Sequence, residues 1–464
     1  MTSPAGMDNI KNPDTIGPDR ATAKTGPRRY FLPMLLLLTL LGLFSRQYLL
    51  HSQPVSVDDF SVGLTAINYV ESGQLGPTMW NHSNLCGILV YGAMRLFGTG
   101  VVGLKGVSLM FGLFSIPLLG LVARRFMSES AALLASFLWT VEPLAIDFSR
   151  QAIGDIYLAF FPLLGIYFAC RYRESRRQYW LLAAGVSFGC GLSTKWSVIF
   201  PLAVTLVLVA RSIRKGREES GACRAISMVH CFAALVLLPL IIYLLTFIPW
   251  FGRGYDASEW PALQQAMYRE TSQHTGYHPL EQDYRDHWAY EWFVRPITYE
   301  DVYANRDGNG QEGLDGSDGR MTVLLAVANP LVWLAVLPSL LFAAWQGIRK
   351  RDEGLCYLAG LFLCSYLPLA LAQRPIWANT ALSVLPFAFM AVAYSITAIA
   401  GNPVTRQRII AAYVVAVALT TAPLYPLVIG KGFELPYLKD YLEQNYADKL
   451  QRMRDGGAFP SGGR

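Results

Sequence analysis

The sequence predicts an all-α polytopic membrane protein, and three observations support that fold class. Hydrophobic residues make up 53% of the 464 residues and charged residues only 16%, outside the usual range for a soluble chain. The mean hydropathy is +0.31. Apolar runs of about 20 residues, the length that crosses ~30 Å of hydrocarbon, recur along the chain. They predict eleven spans near 31–50, 101–122, 131–147, 155–170, 180–194, 197–210, 229–250, 321–345, 355–371, 378–398 and 409–429.

The distribution of Lys and Arg predicts the orientation, because cationic loops stay in the cytoplasm. Every second connection between successive spans is basic, so all the basic segments lie on one face of the membrane. These segments begin at Arg28, Arg124, Arg171, Arg211, Arg349 and Arg406. The outer segment Phe251 to Arg320 shows the reverse balance, with 13 Asp and Glu against 6 Lys and Arg. The formal net charge of +6 therefore reflects topology and does not indicate nucleic acid.

Three domains follow from this pattern. Residues 1–29 are predicted to be a disordered cytoplasmic tail, because they lack an apolar period. Residues 30–429 form the membrane domain, with a first outer loop at 51–100 and a large outer loop at 251–320. Residues 430–464 form a periplasmic tail, with one amphipathic helix expected from Pro436 to Met453. The seven cysteines show neither a disulfide framework nor metal-ligand spacing.

The paired acids Asp58 and Asp59 come directly after the first span and are the most unusual feature of the chain. Acidic groups are costly near hydrocarbon, so acids kept at this boundary suggest a functional site. Polar loops follow most helices, however, and the pair alone fits a structural role equally well. The apolar run Cys86 to Phe97 is too short to cross and predicts an interfacial or re-entrant helix above a cavity.

Three cations, Lys105, Arg150 and Lys195, lie in turns at the same outer leaflet. Snorkelling explains any one of them. Together with the carboxylates they predict an anion site at headgroup depth, and a lipid phosphate is the expected guest. The aromatic residues of 256–299 suit either sugar stacking or an interfacial belt. Asn305 to Gly319 is expected to be a flexible linker; its resemblance to a calcium loop is out of register.

Several motifs together resemble the protein O-mannosyltransferases. The most specific series lies in the large outer loop, and shorter motifs are similar to family motifs at three further places. They are Met267-Tyr268, His274, His278-Pro279-Leu280, Trp288, Trp292, Arg295-Pro296 and Tyr299, then Ser149-Arg150 with Asp155, Gly191 to Trp196, and Asn329-Pro330 before Trp333.

The chain departs from the family pattern at four sites. The family's Asp-Glu is Asp58-Asp59 here, and of a His-Pro-Pro only His82 remains. Lys105 stands where Arg is common, which removes bidentate phosphate binding there. Trp377-Ala378-Asn379-Thr380 replaces a His-containing motif, which leaves acceptor specificity open. The outer loop has no room for the additional sugar-binding-like domain of eukaryotic members. A divergent prokaryotic member of glycosyltransferase family 39, with the GT-C bundle, fits these departures.

The resemblance implies an enzyme of the inner membrane that acts at its periplasmic face. It would transfer a sugar, mannose in this family, from a polyprenyl-phosphate donor to a Ser or Thr hydroxyl of an exported protein, with inversion. No cofactor and no metal are expected, and the oligomeric state is left open. Three alternatives remain: a transferase of the same fold that modifies a lipid or envelope glycan, a transporter, and a scaffold that has kept the fold without the activity.

Residue roles follow from the resemblance and the chemistry together. Asp58 is predicted to be the general base and Asp59 to position acceptor or sugar. The predicted donor-phosphate ligands are Lys105, Arg150, Lys195 and Arg295. The predicted substrate contacts are His82, Asp155, His278, Trp288 and Trp292.

Overall fold

The predicted helical membrane bundle is confirmed in the computed structural model of the protein. The structure describes residues 28–52, 57–73, 84–215, 221–273, 289–294, 298–304, 320–372, 376, 378–430 and 433–434. Among these residues, seven helices are long and apolar enough to span a membrane, and a bent pair makes an eighth if it counts as one span. The N-terminal tail, the expected helix from Pro436 to Met453 and the 305–319 linker lie outside the described residues.

The helices are numbered here in chain order. They are α1 (Arg28–Gln47), α2 (Val57–Ser72), α3 (Leu85–Phe97), α4 (Val101–Ala123), α5 (Glu129–Val141), α6 (Pro143–Ser149), α7 (Tyr157–Ser175), α8 (Gln178–Leu192), α9 (Ile199–Arg214), α10 (Gly221–Phe232), α11 (Leu238–Leu245), α12 (Ile248–Phe251), α13 (Trp260–Gln273), α14 (Pro330–Leu334), α15 (Val336–Lys350), α16 (Glu353–Ala370), α17 (Leu385–Ala398), α18 (Pro403–Thr421) and α19 (Tyr425–Val428).

A helix lies at each of the eleven predicted span positions. The third span is the bent pair, in which α5 and α6 meet at 59°. Pro143 at the start of α6 lacks the backbone N–H that would continue α5, which accounts for the break. Helices α8, α17 and α18 occupy three further predicted positions but are shorter or less apolar than the seven. The short apolar helix expected near Cys86 to Phe97 is α3.

Helix α4 lies at the centre of the half of the bundle that carries the site. It packs against α1, α3, α5 and α7, and α17 packs against α5 and α15. Gly112 of α4 sits where a Cβ would collide with the side chain of Ser149, so glycine permits the close approach of α6. Trp139 of α5 is fully buried and donates from Nε1 to the Gly112 carbonyl at 3.1 Å. The outer end of α5 and the whole of α6 are therefore held tightly against α4.

A small sheet adds to the bundle in the large outer loop. β1 (Thr298–Ala304) and β2 (Arg320–Val327) are antiparallel, and β2 also pairs with β3 (Phe433–Glu434). The predicted start of the eighth span at 321 is therefore wrong, since the apolar residues 321–327 form a strand. The helix begins at Pro330 because Asn329 Oδ1 accepts the backbone N–H groups of Leu331 and Val332.

The basic loops meet at the opposite end of the bundle from this sheet. Cations at or just after the C-terminal ends of α4, α7 and α9 form ion pairs with acids of α5, α7 and α16: Arg124 with Glu129, Arg125 and Arg171 with Glu174, and Arg173 and Lys215 with Glu353. Such partly exposed pairs each contribute little stability, roughly 0–1 kcal/mol. These ion pairs show that the basic segments lie together on one face of the bundle.

Candidate functional site

The acid pair lies in the first turn of α2, where the sequence had indicated a loop. Asp59 is fully buried, and its Oδ2 lies 2.8 Å from Nζ of Lys105, which is also fully buried. Its Oδ1 accepts the backbone N–H of Ala152 at 2.5 Å. Asp59 thus joins α2 to α4 and to the segment after α6. The side chain of Asp58 lies outside the described part of the structure.

The segment of residues 150–156, called the 150–156 loop below, connects α6 to α7 and organises this end of the bundle. Its Ala152 N–H binds Asp59, and its Asp155 binds Lys195 through Oδ1 at 2.7 Å. The Ile153 carbonyl accepts from Ser108 of α4 at 3.2 Å. One short loop therefore holds both carboxylate–lysine pairs, which gives the Ser149-Arg150 and Asp155 motif a structural role.

Arg150, the first residue of this loop, is fully buried and donates to backbone carbonyls. Its Nη1 lies 2.7 Å from the Arg46 carbonyl and 2.8 Å from the Tyr48 carbonyl, and its Nη2 lies 3.4 Å from the Ile429 carbonyl. Burial lowers the pKa of Arg150 to about 10, which leaves the guanidinium charged at neutral pH. A cation at the C-terminal carbonyls of a helix is also favoured by the helix dipole. Arg150 thus fastens the end of α1 to the C-terminal part of the bundle.

Arg46, a residue that the sequence analysis missed, extends the same network. It is fully buried, and its Nε donates to Ser149 Oγ at 3.0 Å. Its Nη1 and Nη2 donate to the carbonyls of Thr140 and Trp139, each at 3.3 Å. A single arginine at the outer end of an apolar span is the signal that could have identified it.

Of the predicted phosphate ligands whose side chains the structure describes, Lys195 is the most open: its side chain keeps 17% exposure beside a nearly buried Asp155. Its Nζ also donates to Thr380 Oγ1 at 3.3 Å. Asp155 Oδ2 accepts from Asn379 Nδ2 at 3.0 Å, which fixes the carboxylate from its other side. Asn379 and Thr380 belong to a 3₁₀ turn, Ala378–Ser383, before α17. The sequence singled out this turn only as a departure from the family pattern.

The surroundings of Lys105 and Arg150 favour a structural role for both. Lys105 and Arg150 are fully buried and bind groups of the protein itself, so a phosphate would have to displace internal partners from desolvated cations. Lys195 has the accessibility that a ligand requires. The pattern of a cation in an outer turn is the same in all three cases, and only packing distinguishes them.

The side chain of Trp292, one of the predicted substrate contacts, lies within the bundle. It is 2% exposed and packs near Tyr366 of α16, with ring centroids 6.4 Å apart. Its neighbour Phe293 is equally buried, against Trp333 and Tyr366 at 5.3 Å each. Tyr366 donates to the Ala289 carbonyl at 3.0 Å. Residues 289–294 are therefore an anchor of the outer loop within the bundle.

The motif from Asn329 to Trp333 serves the break between α5 and α6. Glu142, at the break, is buried, and its Oε1 accepts from Asn329 N at 3.3 Å and from Trp333 Nε1 at 3.1 Å. Asn329 Nδ2 donates to Thr420 and Thr421 of α18 at 2.9 and 2.8 Å. This network ties three segments of the outer end together and is best explained as structural.

The remaining predicted contacts lie outside the described residues: His82, His278, Trp288 and Arg295. Within the part of the chain that the structure does describe, no group of three His, Cys, Asp or Glu side chains is arranged to hold a metal ion. The chemistry available on the described residues is thus an accessible, carboxylate-held ammonium at the outer end of a membrane bundle, beside a helix that begins with two acids.

Comparisons with known proteins agree with the motif resemblance. Residues 88–252 match the family described as dolichyl-phosphate-mannose-protein mannosyltransferase. A relative named polyprenol-phosphate-mannose–protein mannosyltransferase from Mycobacterium tuberculosis is 22% identical over 72% of this chain and 74% of its own length. The protein of the same name from Mycolicibacterium smegmatis is 24% identical over 72% of this chain and 75% of its own.

Solved structures show the same fold. The S. cerevisiae protein O-mannosyltransferase Pmt1-Pmt2 complex bound to the sugar donor aligns with a TM-score of 0.71 and 12% identity, over 89% of this chain and 92% of that chain. ArnT from Cupriavidus metallidurans bound to undecaprenyl phosphate aligns with a TM-score of 0.52 and 16% identity, over 85% and 64% respectively. The predicted resemblance to O-mannosyltransferases and the GT-C bundle are thereby confirmed.

Proposed function

We propose that this membrane protein transfers mannose from a polyprenyl-phosphate donor to a Ser or Thr hydroxyl of an exported protein. The family that matches residues 88–252 and the relatives from two mycobacterial genera carry names that describe this reaction. The fold is shared with a complex bound to its sugar donor. The proposal assigns this activity to the end of the bundle that holds the 150–156 loop.

The observation that carries the proposal is the setting of Lys195. Its ammonium is partly exposed and is fixed by Asp155 and Thr380. When the bond between the anomeric carbon and the phosphate breaks, negative charge grows on the leaving polyprenyl phosphate. A fixed cation beside those oxygens stabilises the transition state more than the ground state. Arg295, if it reaches the same phosphate, would add a bidentate contact.

The acceptor side requires a base, and Asp58 is our proposal for it. The acceptor oxygen forms a bond to the anomeric carbon while the hydroxyl proton passes to the Asp58 carboxylate. The electron pair of the broken bond leaves with the lipid phosphate, and the configuration inverts. Asp59 acts differently: its contacts with Lys105 and Ala152 hold the first turn of α2 in place. His82, His278 and Trp288 remain proposed contacts to sugar or acceptor.

The basic loops support a proposed orientation. They gather at the end of the bundle away from Lys195, and cationic segments remain in the cytoplasm. We therefore place the site on the periplasmic face of the inner membrane. A donor carried by a lipid and an acceptor that has been exported would both reach it there.

The test is a transfer assay with purified protein in lipid vesicles. Polyprenyl-phosphate mannose, labelled in the sugar, is offered with Ser- or Thr-containing peptides, envelope glycans and lipids as separate acceptors. We expect label on a peptide hydroxyl, release of polyprenyl phosphate, and inverted anomeric configuration by NMR. Label only on a glycan or lipid would establish the alternative transferase, and uptake of label without any product would indicate a transporter.

Asp58→Asn tests the base within the same assay. The variant keeps the shape of the side chain and loses the proton acceptor, so transfer should fall below about one per cent of wild type while donor binding persists. Glu71→Gln is the matched control, because Glu71 lies in the last turn of the same helix and binds Tyr91 at the surface. Substantial turnover by the Asp58→Asn variant would remove Asp58 from this role.

A further inference from the structure

Beyond the pairs already described, the turn that carries Lys195 is held by a hydrogen-bonded chain from the large outer loop. Trp196, the next residue, donates from Nε1 to the Tyr243 hydroxyl at 3.0 Å. That hydroxyl donates in turn to Oε1 of Gln264 at 2.6 Å. Tyr243 lies on α11, and Gln264 lies on α13, the first helix of the outer loop.

The direction of this chain follows from the chemistry of its groups. An indole N–H can only donate, so the Tyr243 oxygen must accept from Trp196 and give its own proton to Gln264. Tyr243 is 7% exposed, and its ring packs near Phe247 and Trp260 at 5.2 and 6.4 Å between centroids. Its position is therefore fixed by packing, and the hydroxyl serves both neighbours at once.

The Lys195 turn and the end of α11 also contact α2 and the start of α3. The Ser193 carbonyl accepts from Leu85 N at 3.0 Å, at the start of α3. Tyr69 of α2 and Asn84 both donate to the Thr246 carbonyl, at 2.5 and 3.3 Å. Thr246 follows α11 directly. The end of α11 is thus the point where α2, α3, the Lys195 turn and the outer loop meet.

We propose that Trp196, Tyr243 and Gln264 are positioning residues for the donor phosphate, through which outer-loop helix α13 sets the direction of the Lys195 ammonium. Trp196 starts a 3₁₀ turn, Trp196–Val198, and Lys195 precedes it with extended backbone at φ −159° and ψ 137°. A shift of the Trp196 indole would change the backbone conformation at Lys195 and so the direction of the Lys195 side chain. The Lys195 side chain is also held by Asp155 and Thr380. The hydrogen bonds among Trp196, Tyr243 and Gln264 therefore adjust the position of the ammonium and do not fix it alone. This inference rests on the proposed donor-binding role of Lys195.

The test compares three variants that break this hydrogen-bonded series: Trp196→Phe and Gln264→Leu each remove one hydrogen bond, and Tyr243→Phe removes both. Trp196→Phe and Gln264→Leu should raise the KM for polyprenyl-phosphate mannose roughly tenfold, the size expected for one neutral hydrogen bond, and Tyr243→Phe at least as much. The kcat should fall as well, because Lys195 also stabilises the leaving phosphate, while the acceptor KM stays within about twofold. Gln264→Glu keeps an acceptor for Tyr243 and should restore the donor KM. The Ki of polyprenyl phosphate, the leaving group without its sugar, should rise in parallel.

Tyr357→Phe is the matched control, since its buried hydroxyl pairs with Thr205 at 2.7 Å between α9 and α16. It removes a comparable hydrogen bond and should leave the donor KM unchanged. If Tyr243→Phe fails to fold, Gln264→Leu on the more accessible helix carries the test with its Gln264→Glu rescue.

A double variant tests whether Trp196, Tyr243 and Gln264 affect donor binding through Lys195. Lys195→Met combined with Tyr243→Phe should bind donor no worse than Lys195→Met alone, because the chain acts through the lysine. If Lys195→Met weakens donor binding but the three chain variants do not, the positioning chain is refuted and the proposed function stands. If Lys195→Met itself binds and transfers normally, the role of Lys195 is refuted and the inference falls with it.

Discussion

Two carboxylate–lysine pairs lie at the same end of this bundle, and they differ in what surrounds them. Asp59 and Lys105 meet at 2.8 Å with no exposure of either side chain. Asp155 and Lys195 meet at 2.7 Å, but the lysine keeps 17% of its side chain exposed. A buried pair is held because each charge would be costly alone, whereas a partly open lysine can share its charge with an incoming anion. Two pairs with nearly equal distances between nitrogen and oxygen therefore serve different functions.

The largest expected effect comes from breaking the buried pair. Lys105→Met strands the Asp59 carboxylate in the interior and should cost about 3–5 kcal/mol of stability, seen as a large drop in melting temperature in detergent. Adding Asp59→Asn removes the stranded charge and keeps an oxygen for the Ala152 N–H, so most of the stability should return. A single variant that melts like wild type would contradict a structural role for this pair.

The open pair should respond in activity instead. Lys195→Met should slow transfer by about 10²–10³-fold, as expected when one charge-stabilising group is removed from a transition state. Its melting temperature should fall less than that of Lys105→Met, because Lys195 is partly exposed and Asp155 keeps its hydrogen bond from Asn379. Steady-state transfer and thermal melting on the same preparation check both parts. A loss of stability as large as that of Lys105→Met would contradict the distinction between the two lysines.

Arg150 belongs with the buried group, although the sequence placed it with the phosphate ligands. Arg150→Met should cost about 1.5–3 kcal/mol, the range for hydrogen bonds from a charged donor, since three carbonyls lose it. The Ki of polyprenyl phosphate should not change in protein that remains folded. A raised Ki of polyprenyl phosphate at unchanged stability would instead support Arg150 as a phosphate ligand.

Asn379 holds the Asp155 carboxylate on the side away from Lys195. Asn379→Ala removes the donor to Asp155 Oδ2 and should weaken donor binding about tenfold without a change in melting temperature. Ser383→Ala is the control, because Ser383 lies in the same 3₁₀ turn and binds only the Thr380 carbonyl among the contacts described there. Equal effects of the two variants would show that the whole turn, and not the Asp155 contact, is being disturbed.

The smallest effect is expected from the segment that joins β1 to β2. Replacing residues 305–319 by Asn-Gly leaves the three-residue connection Asn-Gly-Arg320 between Ala304 and Met321, which face each other in the antiparallel pair. Three-residue connections of this kind are common in hairpins. Transfer should stay within about twofold of wild type, because this Gly- and Asp-rich segment is expected to be a flexible linker. A large loss in the transfer assay would instead assign a substrate contact to the segment.

Local signals predicted the helices well and some of their ends poorly. Apolar length placed a helix at each of the eleven span positions, and Asn329 followed by Pro330 marked the true start of α14. Hydropathy averaging assigned 321–327 to a span because apolar strand residues have the same hydropathy as helical ones. The burial of Trp292 could not be predicted, because aromatic density does not show which partner covers a ring.

The sequence by itself determined the membrane bundle, the gathering of basic loops at one end and the residues from which a site could be made. These properties depend on transfer free energy and on local charge, which each segment carries independently. Only the tertiary structure decided which lysine is buried with its carboxylate and which is open to a ligand. That choice depends on packing among α2, α4, the 150–156 loop and the turn before α17, segments far apart in the chain, whose mutual approach no local pattern records.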